Sequence, residues 1–175
     1  MSVQIDIQLA DDLPESIEEP PSSQLLSDWA QAAWQGDESI EPVLSLRIVS
    51  EAESQQLNND YRGKNKPTNV LSFPMQIESN LDGFAMPDFI LGDLAICAEV
   101  VAREAQQQQK TFQAHWAHMV IHGMLHLQGF DHVEDDDALQ METLETNIMR
   151  QLGFSDPYQP NISNSDGPSV TESNS

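Results

Sequence analysis

His122-Gly-Met-Leu-His126-Leu-Gln-Gly129-Phe-Asp-His132 brings three histidines into one short run, two of them a helical turn apart. Residues at i and i+4 project from the same helix face, so His122 and His126 can hold one ion together. Gly129 can adopt the left-handed conformation that stops a helix and turns the chain back, which would return His132 to the same ion. Three neutral imidazoles leave the fourth tetrahedral position of a Zn²⁺ open to water, as in a catalytic site and unlike a closed structural one. The expected ligands of one zinc ion are therefore His122, His126 and His132.

Working outward, Phe112, Trp116, Met119, Val120 and Leu127 give this helix an apolar face, so it is expected to be central and well buried. His115 and His118 lie on nearly the same face, one and two turns earlier. Pairing His118 with His122 supplies neither the glycine bend nor a third ligand, so both read as polar residues lining the approach or supporting the ligands. Zinc peptidases of this spacing carry Glu directly after the first histidine, as general base; here that position is Gly123, which speaks against peptide hydrolysis. Asp131 could orient a histidine or accept a proton, and it equally fits a turn or cap. The acidic group Glu134 to Asp137 suits a helix N-terminus, and Met141, Leu144, Ile148 and Leu152 continue that helix until Gly153 closes it.

Towards the N-terminus, Val3, Ile5, Ile7 and Leu9 alternate with polar residues as in a half-buried strand. After the acidic, proline-marked connector 11–21, Leu25, Leu26, Trp29, Ala32 and Ala33 repeat at helical spacing up to Gly36. Leu44, Leu46 and Ile48 mark a second strand, and Ser50 with Glu53 has the form of a capping box opening a helix to about Tyr61. A basic loop with Arg62, Lys64 and Lys66 leads into a strand over Val70 to Phe73. Residues 76–88 read as an exposed loop, Phe89 to Cys97 as a fourth strand, and Ala98 to about Gln108 as a helix with a solvated glutamine-rich end. The folded domain is expected over 1–154, with 155–175, rich in Pro, Ser and Asn, a disordered polar tail.

Lys and Arg number 7 against 29 Asp and Glu, a formal net charge of -22. Most of such a surface repels nucleic acid and anionic membrane. Any anionic ligand must be met by a metal or by the Arg62–Lys66 loop, which holds three of the seven cations. Cys97 is the only cysteine, which rules out an internal disulfide or a thiolate zinc cluster. The first twenty residues hold no Lys, Arg or apolar run, and no segment approaches a membrane span; the expected location is cytoplasmic.

Together these residues closely resemble the YbeY family of bacterial endoribonucleases, the rRNA maturation factors. The family's HGxLHLxGYDH run is matched by residues 122–132, with Phe130 in the usual tyrosine position. Its second signature, N-x-x-Y-R-G-K leading into T-[DN]-V-L-S-F-P, is matched by Asn58 to Lys64 and Thr68 to Pro74. The resemblance implies a single α+β domain in which a mixed sheet of about four strands and several helices surround the histidine helix. It implies one zinc on His122, His126 and His132, with Arg62 near the metal. It implies single-stranded RNA as substrate, small-subunit rRNA 3′-end maturation and ribosome quality control as the role, and the small ribosomal subunit with its proteins as partner; neither DNA nor a membrane is expected. Lys64 and Lys66 would hold flanking phosphates, with Arg62 and Asp131 as the catalytic side chains. Non-specific affinity for naked RNA should be weak, given the charge. The rival readings are an assembly factor with a structural metal and, further off, a zinc peptidase.

Overall fold

The computed structural model describes residues 3–75, 89–130 and 135–158. The expected loop 76–88, the site candidates Asp131 and His132, and residues 159–175 of the expected tail 155–175 lie outside the described residues; the tail's first residues, 155–158, are described, and they pack on the domain, with Pro157 buried, rather than standing off it. Among the described residues, four strands and five helices follow one another as β1 (Gln4–Leu9), α1 (Ser23–Ala32), β2 (Pro42–Val49), α2 (Glu51–Arg62), β3 (Val70–Pro74), β4 (Phe89–Cys97), α3 (Ala98–Gln107), α4 (Phe112–Leu127) and α5 (Asp135–Gln151). The architecture is the α+β arrangement expected, with a mixed sheet.

The sheet runs β1-β2-β4-β3. β1 and β4 pair with β2 in parallel, and β3 closes the edge antiparallel to β4. Period-two alternation sorts the side chains by face. Leu44, Leu46, Ile48, Leu94, Ile96 and Val70 enter the main core with α1 and α4. Val49, Ala95, Cys97 and Leu71 turn to the opposite face, where Leu57 of α2 packs on them. Register slips once, between Val43 and Leu44 opposite Ile90 and Gly92. Gly92 there has φ 138, and a Cβ would lie 2.3 Å from the Phe73 carbonyl oxygen, so only glycine lets β3 and β4 approach.

Helix ends follow local chemistry. Ser50 caps α2 by accepting from the Glu53 amide. The reciprocal half of the capping box is replaced, because the Glu53 carboxylate pairs instead with Arg47 on β2 at 2.6 Å. α4 starts at Thr111, whose hydroxyl accepts from the Ala114 amide. It stops where the sequence places the stop: Gly129 has φ 100, its amide donates to the His126 carbonyl and the Phe130 amide to that of Leu125, the paired bonds of a glycine C-terminal cap.

α4 is central. Ala117, Val120, Ile121, Met124 and Leu125 have no solvent exposure, as expected of a helix apolar nearly all round. Its approach to the sheet explains Gly123: a Cβ there would lie 2.6 Å from Leu94 Cδ2. The position faces packed core and has no room for a glutamate. The missing general base of the peptidase pattern thus has a packing cause. No helix among the described residues is long and apolar enough to cross a membrane.

Candidate metal centre and basic loop

The i,i+4 spacing puts His122 and His126, two of the three expected ligands, on one face of α4. His122 and His126 turn their Nε2 atoms towards each other at 3.1 Å, with ring centroids 4.6 Å apart. Two nitrogens bound to one tetrahedral zinc at its usual bond length lie about 3.3–3.4 Å apart, so the pair needs little adjustment to share an ion. Both rings are half-buried on a helix whose neighbouring positions are core.

Behind His122 stands a residue that periodicity alone did not single out. Glu145 of α5 has no exposed surface. Its Oε2 accepts from His122 Nδ1, and its Oε1 accepts from the Tyr158 hydroxyl. Burial pushes the Glu145 carboxyl up, but the His118 and His122 side chains outweigh this and hold it well below the usual carboxylate range. An ionised carboxylate only accepts, so the proton in this contact lies on His122 Nδ1, and the ring's other nitrogen, Nε2, is the one that faces His126. His118, His122 and Glu145 each place a potential ligand atom within 4.8 Å of the others, a His-His-Glu group able to hold a metal ion. Glu145 was visible in the sequence as a charge one residue past Leu144 on the apolar stripe of α5.

The two upstream histidines separate in role. His118 is buried, with Nε2 3.6 Å from Glu145 Oε1. Burial holds its pKa below the ordinary imidazole value in spite of that carboxylate. His115 is engaged away from the metal candidates: its Nε2 lies 2.8 Å from Glu104 Oε1, which also accepts from Asn69 Nδ2 at 3.0 Å. This network ties α4 to α3 and to the start of β3, so His115 does not line the approach.

Arg62, Lys64 and Lys66 sit together on an exposed segment, and among the described residues none of them is in an ion pair. The loop itself is tightly held. Gly63, with φ 71, ends α2, and its amide donates to the Asn59 carbonyl. Asn58 Nδ2 donates to the Lys66 carbonyl at 2.9 Å, while the Ser54 hydroxyl meets both the amide and the carbonyl of Thr68. β3 carries the loop's far end to α4, where the Ser72 hydroxyl lies 3.5 Å from the Gly123 carbonyl, next to His122. Phe130 packs against the main core, so the position that carries tyrosine in the family's motif serves here as an apolar contact.

The solution structure of TM1509 from Thermotoga maritima is similar to this chain, with TM-score 0.52 and 27% identity over 85% of this chain and 89% of that one. The family model described as Endoribonuclease YbeY matches residues 10–153, a span that takes in the basic loop, the histidine helix and Glu145. On that match the chain belongs to the YbeY family of endoribonucleases, proteins that cut RNA in rRNA processing.

Proposed function

We propose that the chain is a zinc-dependent, single-strand-specific endoribonuclease of the cytoplasm. It would mature the 3′ end of small-subunit rRNA and take part in ribosome quality control. The observation that carries the metal reading is the pair of facing Nε2 atoms on His122 and His126, 3.1 Å apart, with the first ring backed by a buried carboxylate. Of the two groupings that share His122, this one has ring nitrogens turned towards each other. The other draws on Glu145, whose oxygens are already occupied by His122 and Tyr158. His122, His126 and His132 would hold the ion. Zinc bound there supplies Lewis-acid polarisation of the phosphoryl group and acidifies water.

The chain's own groups do the rest. Arg62 donates two parallel hydrogen bonds to the non-bridging oxygens as charge develops on them, a geometry lysine cannot copy. Lys64 and Lys66 hold flanking phosphates from a loop whose backbone is already fixed, so little ordering entropy is lost on binding. Asp131 orients a histidine or accepts the proton of the nucleophile. A 2′,3′-cyclic phosphate product would identify that nucleophile as the RNA's own 2′-hydroxyl.

Metal analysis of the purified protein, paired with cleavage of single-stranded RNA with and without chelator, tests site and reaction together. Arg62→Ala should keep the metal and lose about 10²–10³-fold in rate, the scale for removing one preorganised donor to a developing oxyanion; His126→Ala should lose the metal. Full cleavage in excess chelator would remove the zinc reading, and wild-type rates for Arg62→Ala would remove the arginine's role. Rescue of rRNA processing by a folded, metal-free variant would assign an assembly function instead.

A further inference from the structure

The segment after α5 reaches back to the metal candidates. Gly153 ends α5, the Phe154 amide donates to the Met149 carbonyl, and the Phe154 ring packs edge-on against Trp29 at 6.2 Å. Lys110 Nζ donates to the Pro157 carbonyl, and Pro157 is buried. This fastening leads the chain to Tyr158, whose ring stands 5.2 Å from that of His118 and whose hydroxyl donates to Glu145 Oε1.

We propose that Tyr158 is a positioning residue for the ligand His122, acting through Glu145. The proposal rests on the metal site argued above. Glu145 has no contact with solvent, so water cannot hydrate its carboxylate and each oxygen depends on a protein donor. Tyr158 serves one oxygen and His122 Nδ1 the other. The remaining neighbour among the described residues, His118 Nε2 at 3.6 Å, is too far to donate. Both hydrogen bonds together fix the rotation of the carboxylate, and that rotation fixes the plane of the His122 ring and the aim of its Nε2. Without the hydroxyl, Oε1 would be drawn to His118, turning Oε2 away from His122.

The test is Co²⁺ titration of the metal-free protein, followed by its visible spectrum and by Zn²⁺ competition, for wild type, Tyr158→Phe, Glu145→Gln and the double variant, with His126→Ala as reference. Melting of the metal-free proteins checks that each folds. Tyr158→Phe should weaken binding about 10–100-fold, the usual effect of losing an outer partner of a ligating histidine, and should alter the Co²⁺ spectrum. The double variant should bind no more weakly than Glu145→Gln alone, because the hydroxyl acts through the carboxylate. Wild-type affinity and spectrum in Tyr158→Phe would overturn the proposal, as would losses that simply add, the signature of general loosening. Unchanged binding in His126→Ala would instead overturn the metal site itself.

Discussion

Gly123→Ala measures how closely α4 is pressed against the sheet. The new methyl would lie 2.6 Å from Leu94 Cδ2, 3.2 Å from Cδ1 and 3.4 Å from Cγ, whereas carbon atoms in contact prefer about 3.5–4.0 Å. Leu94 is 1% exposed on an interior strand and has little room to retreat. In an open helix interior, glycine to alanine stabilises by about 1 kcal/mol, and overpacking a filled core costs about 1–3 kcal/mol. The net loss should be about 1 kcal/mol, or about 2–4 °C in Tm for a chain of this size. Urea and thermal unfolding measure it directly. In a Leu94→Ala background the space opens, so the same alanine should then stabilise. Gain of stability in the wild-type background, or equal effects in both, would refute the reasoning. By the same geometry Gly123→Glu, which writes the peptidase motif into the chain, buries a charge against Leu94 and should unfold the protein without creating a peptidase.

Gln109 holds a left-handed conformation, φ 58, where the chain leaves α3. Gln109→Gly should raise stability by about 0.5–1 kcal/mol, seen as a higher urea midpoint at unchanged slope, and a fall would show that the conformation carries no strain. For Glu104, burial pushes the carboxyl up, but hydrogen bonds from His115 and Asn69 prevail and its pKa is lowered from 4.5. Its stabilising contribution is therefore present above about pH 4.5 and is lost as the pH falls through the lower folded value. Unfolding free energies between pH 5 and 3 should decline more steeply for the wild type than for Glu104→Gln; parallel curves would contradict this.

The elements were legible because their signals are local. Leu44, Leu46 and Ile48 alternate because one face of β2 is core, and Gly129 ends α4 with the bonds its position implies. What the sequence could not reveal depends on partners distant along the chain. Glu53 completes the pattern of a capping box, yet an arginine on the adjoining strand claims its carboxylate. His115 sits on the helix face of the candidate ligands, but its Nε2 meets Glu104 on α3. Glu145 is the instructive case. A carboxylate on a buried stripe of α5 announces that something must satisfy it, but which histidine and which tyrosine do so is set by how α5 and the following segment lie on α4.

The same dependence on folding decides how a chain of net charge -22 meets RNA. Seven cations are available. Arg47 is paired with Glu53 and Arg103 with Glu51, and Lys110 is spent on the Pro157 carbonyl. Arg150 lies on the last turn of α5. What remains is Arg62, Lys64 and Lys66, exposed and, among the described residues, without an ion pair, on a loop that side-chain bonds from α2 hold in place. Counterion release scales with the number of phosphates neutralised, so three cations give only a modest non-specific affinity within a repulsive surface. Positive charge in one fixed place favours a strand that can bend to it, and a stiff duplex would bring its flanking phosphates against the acidic surround. The single-strand specificity proposed above would follow from where folding leaves these few cations, and a partner that presents the strand would supply the affinity the surface withholds.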